Sequence, residues 1–384
     1  MPRTIKNSFD KHLTFEKIYA AHLRARKQKT SKSELIRFEM NLENNLMNLL
    51  NSLKKGTYKI GKYRTFYVLE PKLRKIEALP YVDRIAHQWY VEEFIKPHIV
   101  PKFIKDSYAC LIGRGTHQAV KAIQHYMQIY QRNYGNHYWI LKCDIKRFFY
   151  SIHPQILFHI LKKQISDKKL LAFTYHLIFD NREEPVGIPI GNYTSQFFAN
   201  IYLNELDQYI KHTLKVKYYV RYMDDFILLL DSKETCKQVK HKIEIFIDKH
   251  LKLELNHKSR YYPCAQGVNF CGFRIWPTHR LLRNASKKKI KRKVKLWNNF
   301  WQKGEIDYTI AIPSLQSWFG HASHCNSYHI KQKILNKSQF LYLENKDYFP
   351  VLSDIGYDEN LKSEFLDDDD FKKLLFDMET FPIK

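Results

Sequence analysis

Asp224 and Asp225 stand side by side in YYVRYMDDFILLL (218–230), between two apolar halves that each read as a strand. Adjacent carboxylates are costly to desolvate and repel each other, so the doublet is tolerable where a cation fills the gap. A third aspartate, Asp144, ends the apolar strand pattern of HYWILKCDIKRFF (137–149). If the two strands are neighbours, the three carboxylates converge. Three acidic oxygen donors suit hard divalent ions, Mg²⁺ above all, which keeps waters and takes its remaining ligands from phosphate. Two such ions about 3.5–4 Å apart would activate an attacking oxygen and stabilise the leaving one in an in-line phosphoryl transfer. A DD pair also occurs in many plain turns. Its setting between Tyr222-Met223 and FILLL is the specific part of the signal.

The elements that must position these groups can be read from periodicity. SKSELIRFEMNLENNLMNLLNSLKKG (31–56) predicts one helix, with Ser31 and Glu34 at capping-box spacing and Gly56 at its close. TFYVLEP (65–71) alternates like a strand and, with LRKIEALP after it, predicts a basic hairpin. VGIPIGNYTSQFFANIYLNELDQYI (186–210) opens as a Gly/Pro turn and continues as a long helix. A helix near 233–251 and a strand pair around GVNFCGFRIW (267–276) follow. In 284–304, Ile290, Val294, Trp297 and Trp301 form one apolar stripe, and seven Lys or Arg between 287 and 295 cover the other faces. That density favours a helix laid along a nucleic-acid backbone over a merely solvated face.

A length of 384 residues with 44% hydrophobic side chains is enough for a sizeable core and two or three structural units. No apolar run approaches the roughly 18 residues of a membrane span, and the first residues lack a signal-peptide pattern. Six cysteines without a CxxC pair suit a reducing cytoplasm. The net charge of +25 is unevenly placed, since residues 340–384 hold five Lys against twelve Asp or Glu. The body is therefore strongly basic, which points to a polyanion such as a phosphate backbone. DDDDFKKLLFDMETF in the tail spaces Phe371, Leu374, Leu375 and Met378 as a short amphipathic helix, although a loosely ordered acidic extension is the simpler expectation. His321, His324, Cys325 and His329 fit no common zinc spacing.

YMDD in a hairpin resembles the catalytic motif of reverse transcriptases, and six further segments agree with that family in order. These are EPKLRKIEALPYVDRIAHQ (70–88), DSYACLIGRGTHQAV (106–120), KCDIKRFFYSI (142–152), GIPIGNYTSQFFANIYLNELD (187–207), LELNHKS (253–259) and NFCGFRI (269–275). The resemblance spans roughly residues 10–335. Ile190 to Gln196 reads IGNYTSQ, similar to the IGxxxSQ form in reverse transcriptases of diversity-generating retroelements, where most relatives carry QGxxxSP. RIWPTHRLLR (274–283) and SWFGHASHCNSYH (317–329) also resemble the thumb of that group, and no maturase or endonuclease segment follows them.

The resemblance implies an α+β right-hand polymerase. Fingers (1–137) precede a palm (138–275) whose antiparallel sheet is backed by helices, then a helical thumb (276–335) and the acidic tail (336–384). It implies RNA-directed DNA synthesis of error-prone, adenine-mutagenised cDNA with two Mg²⁺ ions. The partners would be template RNA, a DNA or RNA primer, deoxynucleoside triphosphates and a small basic accessory variability protein. Asp144, Asp224 and Asp225 would hold the metal, and Lys258 would protonate the leaving pyrophosphate. Lys72 and Arg74 would grip the triphosphate, and Phe149 would act as an aromatic gate against a 2′-hydroxyl. Ile190, Gly191 and Gln196 would face the nucleotide. Phe270, Cys271 and Gly272 would form the primer grip, with Gly272 letting backbone approach nucleic acid. Lys287, Lys288, Lys291, Arg292 and Lys295 would follow the phosphate backbone. Leu111 stands where many relatives have an arginine, with Arg114 as a partial substitute. The rival expectations are a retron or phage-defence reverse transcriptase, and a non-catalytic RNA-binding subunit on a polymerase scaffold.

Overall fold

A computed structural model describes residues 4–69, 73–179 and 184–341. The chain divides into two compact units, Met1–Tyr126 with Arg132–Pro263, and Met127–Gln131 with Cys264–Lys384. The strands around 268–282 thus cluster with the C-terminal unit rather than with the aspartate-bearing sheet. Lys72 and nearly all of the acidic tail lie outside the described residues.

In the first unit, β1 (Arg64–Val68) and β2 (Arg74–Ala78) form a two-stranded antiparallel hairpin. A four-stranded antiparallel sheet follows, built from β3 (Trp139–Asp144), β4 (Tyr219–Tyr222), β5 (Asp225–Leu230) and β6 (Arg260–Pro263) in the spatial order β4-β5-β3-β6. Strand alternation sorts the side chains. Leu141 and Cys143 of β3 and Phe226, Leu228 and Leu230 of β5 are buried in the main core, together with residues of the Tyr193–Gln208 and Lys233–Leu251 helices. Lys142 and Asp144 alternate with them and so take the other face. The first unit thus mixes helices with an antiparallel sheet, as expected. Among the described residues no helix is long and apolar enough to cross a membrane.

The predicted helix over 31–56 is two helices, Ser33–Glu39 and Leu42–Lys55. The capping box does not form, because Glu34 Oε1 instead accepts the backbone N–H of Tyr81 at 2.7 Å, at the start of the Tyr81–Tyr90 helix. A long-range partner has displaced a local one. At the other end Gly56 closes the second helix as expected.

In the second unit, β7 (Val268–Phe270), β8 (Phe273–Ile275) and β9 (Arg280–Leu282) make a three-stranded antiparallel sheet, of which the sequence predicted the first two strands. The basic helix spans Asn284–Gln302. It buries Ile290, Val294 and Trp297, half-buries Trp301, and exposes Lys288, Lys291, Arg292 and Lys295, while Lys287 is half-buried. Lys293 turns inward, donating to Ser314 Oγ and lying over the Trp297 ring.

Candidate active site

The sheet register sets Asp144 directly opposite Asp225 across β3 and β5, so both side chains stand on one face. Opposed like charges destabilise a sheet unless compensated. Here Lys142 compensates, its ammonium 2.6 Å from each oxygen of Asp225. Asp224 lies in the two-residue turn that joins β4 to β5, with Tyr222 paired to Asp225. Burial, then the nearby Asp144 carboxylate, raises the Asp224 pKa to about 6, and Asp225 adds to the rise while Arg74 opposes it. Asp144 and Asp224 therefore feel each other, and the hairpin guanidinium of Arg74 reaches the same field.

Among the described residues, no group of three His, Cys, Asp or Glu side chains could hold a metal ion. The expected three-carboxylate convergence is thus modified. Asp144 acts on Asp224 more strongly than Asp225 does, and Asp225 is paired with Lys142. Two coupled carboxylates, with the charged form of one disfavoured until a cation arrives, remain a donor set that fits a hard divalent ion completed by water and phosphate oxygens.

Asp144 is held from the loop before β6. Asn256 Nδ2 donates to Asp144 Oδ2 at 3.0 Å, and its backbone N–H donates to the Asp144 carbonyl at 2.7 Å. Ser259 Oγ accepts the Asp144 N–H at 3.1 Å. The same loop carries Lys258, whose side chain is exposed. The doublet is held from behind by Arg221, which is fully buried against Asp207 at 2.5 Å. Its Nη1 donates to the Met223 carbonyl at 2.9 Å. Met223 has φ 53, the left-handed region a β-branched or long side chain rarely adopts, and it occupies the turn just before Asp224. Asn200 Oδ1 and Ser107 Oγ accept the remaining Arg221 donors.

The segment 190–196 packs on the hairpin. The Ile190 carbonyl accepts the Glu77 N–H at 2.9 Å. Gly191 has φ 131, and a Cβ there would lie 2.9 Å from the Glu77 carbonyl oxygen, so glycine is required for this contact. Ile190 is half-buried and Gln196 exposed. Phe149 is half-buried, edge-on to Phe148 at 5.7 Å, and its carbonyl accepts the Ile188 N–H. Below, Thr194 meets the buried imidazole of His87 at 2.8 Å. Burial drives the His87 pKa down to about 3, so the ring stays neutral and joins two helices.

Two expectations change. Leu111 is buried in the main core, and Arg114 donates to the carbonyls of Ile104 and Ser107, bracing its own loop. Arg114 therefore does not replace the family arginine as a free fingers charge. In the second unit, Cys271 (φ 45) and Gly272 (φ 91) make the tight turn between β7 and β8, flanked by the paired and buried Phe270 and Phe273. The space beside Gly272 is filled by protein, since a Cβ there would lie 2.8 Å from His321 Nε2. His321 also packs on Phe273 with ring centroids 4.4 Å apart. Gly272→Ala is therefore expected to destabilise the second unit by about 1–3 kcal/mol. Adding His321→Ala should recover the steric part of that loss in denaturant unfolding, and equal losses in both backgrounds would contradict the contact.

Lys142, Asn256, Ser259, Arg221 and His87 were missed as site supports. Asn256 and Ser259 lie within the LELNHKS segment, and Lys142 and Arg221 within two others, so the motifs were the available signal.

A family profile described as "Reverse transcriptase (RNA-dependent DNA polymerase)" matches residues 53–275. The Group II intron-encoded protein LtrA of Lactococcus lactis subsp. cremoris is 24% identical over 306 residues, covering 61% of this chain and 50% of that protein. Protein YkfC of Escherichia coli (strain K12) is 23% identical over 281 residues, covering 62% of this chain and 71% of that protein. A structure of apo telomerase from Candida tropicalis superposes with TM-score 0.48 at 12% identity, covering 88% of this chain and 65% of that one. The chain spans about half the length of the intron-encoded relative. With the profile running through β1 to β8 and across Asp144, Asp224 and Asp225, the chain belongs to the reverse transcriptase (RNA-dependent DNA polymerase) family.

Proposed function

We propose that this protein is an RNA-directed DNA polymerase that makes error-prone cDNA from a retroelement repeat RNA. The observation that carries the polymerase reading is the sheet register that sets Asp144 opposite Asp225, with Asp224 in the adjoining turn and within the field of Asp144. Asp144 and Asp224 would hold the divalent ions, with Mg²⁺ the hard, oxygen-preferring candidate. When bound, these supply activation of the primer hydroxyl and charge stabilisation at the transferred phosphate.

The chain's own groups do the rest. Asn256 fixes the Asp144 carboxylate, Ser259 holds the Asp144 backbone, and Arg221 fixes the turn that presents Asp224. Arg74 and Lys72 would bind the triphosphate, Arg as a bidentate fork. Lys258, exposed on the Asn256–Ser259 loop, would give a proton to the departing pyrophosphate. Phe149 would close the space beside the sugar. We assign β1 and β2 to fingers, β3 to β6 to the palm, and the basic Asn284–Gln302 helix to a nucleic-acid-binding thumb. Within it Lys288, Lys291, Arg292 and Lys295 offer exposed charges, with half-buried Lys287 beside them. Phe149→Ala is expected to raise ribonucleotide incorporation at least about tenfold relative to deoxynucleotide, an expectation of size taken from loss of a steric filter. Unchanged discrimination in single-nucleotide extension would remove Phe149 from that role.

The mutagenic reading rests on Ile190. An aliphatic side chain gives shape but no donor to the nucleotide, so mispairs opposite template adenine are rejected less strictly. Sequencing the products should show Ile190→Gln lowering errors opposite adenine several-fold. Equal error spectra would take the residue out of the account. A reverse transcriptase of another bacterial type is favoured by the intron-encoded relative. Such an enzyme would copy RNA without an adenine bias and without gain from a small basic accessory protein.

A further inference from the structure

The Lys142–Asp225 contact relieves the cross-strand repulsion between Asp144 and Asp225, and its place beside the acidic site gives it a second consequence. Lys142 sits two residues before Asp144 on the same strand face. Its ammonium is 2.6 Å from both oxygens of Asp225, and both side chains keep some exposure, at 24% and 31%. A pair so placed at the edge of an acidic site changes the charge that an incoming cation meets. With Lys142 present, the three carboxylates present a net charge one unit less negative. We propose that Lys142 is a built-in counter-ion for Asp225, a positioning residue that orients this carboxylate and weakens divalent-ion binding at Asp144 and Asp224. Asp225 then acts on the ions through its charge balance with Lys142 rather than as an independent ligand.

The functional gain would be twofold. The strand pair is spared an uncompensated cross-strand repulsion between Asp144 and Asp225 while no ion is bound. Ion affinity is also kept low enough for ions to arrive with the nucleotide phosphates and leave with pyrophosphate. This inference rests on the reading of Asp144 and Asp224 as the cation site, and the experiment separates the two.

Mn²⁺ binding is measured by electron paramagnetic resonance, using full-length protein with RNA template, a dideoxy-terminated primer and the next deoxynucleotide. No chemistry can occur in that complex. Lys142→Met is expected to bind Mn²⁺ about tenfold more tightly, as removal of a neighbouring unit charge would give. Lys142→Arg keeps the charge and should stay within about threefold of wild type. Asp225→Asn should bind about tenfold more weakly, because it leaves Lys142 uncompensated. The double variant, Lys142→Met with Asp225→Asn, should return to within about threefold of wild type. If the double variant is as weak as Asp225→Asn, Asp225 is a direct ligand and the inference fails. It also fails if Lys142→Met binds no more tightly than wild type. Asp224→Asn is the control. If Asp224→Asn binds Mn²⁺ like wild type, the cation site itself is wrong and both readings fall. If only the Lys142 results are contrary, the inference falls alone.

Discussion

Asp224→Asn is expected to raise the melting temperature of the metal-free protein while reducing primer extension by about 10³-fold or more. The two effects share one cause. Burial and Asp144 hold the Asp224 pKa near 6, above the ordinary aspartate value of 3.8. The folded metal-free protein therefore binds this proton more tightly than the unfolded chain does. Its contribution to stability is fully present below about pH 4 and is lost as pH rises through about 6. The full shift corresponds to about 3 kcal/mol, and partial solvent contact reduces that to about 1–3 kcal/mol at neutral pH. Asparagine removes the penalty, so melting should rise by roughly 2–6 °C at pH 7 and by little at pH 4. A lower melting temperature at pH 7 would show that Asp224 is not electrostatically strained. Saturating divalent ion should abolish the advantage, since wild type then gains a ligand that the variant cannot bind.

Arg221→Met carries the largest expected cost to folding. The guanidinium is fully buried, and its Nε and Nη2 donate to Asp207 at 2.7 and 2.5 Å. Removing it leaves a buried carboxylate without its cation, which costs about 3–5 kcal/mol. Denaturant unfolding checks this. Arg221→Lys keeps charge but not the fork that reaches Asp207, Asn200, Ser107 and the Met223 carbonyl together, so an intermediate loss is expected. Arg221→Met combined with Asp207→Asn should regain part of the stability, because no unpaired buried charge remains and the amide oxygen still accepts from the buried Tyr219 hydroxyl. Activity should not return with it. The Met223 carbonyl still lacks its donor, and the left-handed turn before Asp224 loses its brace. Full activity in the stabilised double variant would contradict that role.

The elements that carry their own periodicity were legible in the sequence. The Lys233–Leu251 helix lies where expected, as do β3 and the hairpin of β4 and β5, because their apolar positions repeat at 3.6 or 2 residues. The aspartates were legible because their setting is a motif. Interactions between distant segments were not. Nothing near Glu34 says that it will leave its own helix for Tyr81, whose N–H lies 47 positions away in the chain. Lys142 reads as one more lysine in a basic chain until β3 and β5 are paired in register. Arg221 reads as a polar interruption of a strand, and its burial makes sense only once Asp207 comes across from a separate helix. Gly272 was assigned to close approach of nucleic acid, whereas the close approach belongs to His321, a residue 49 positions later.

Primer extension on an RNA template tests the central claim most directly. Wild-type protein with a DNA primer, deoxynucleotides and Mg²⁺ should lengthen the primer into cDNA, and chelation of the ion should stop it. Asp144→Asn, folded to the same extent by circular dichroism, should leave the primer unextended under the same conditions. Extension by Asp144→Asn at the wild-type rate, or none by wild type with the ion present, would contradict the account.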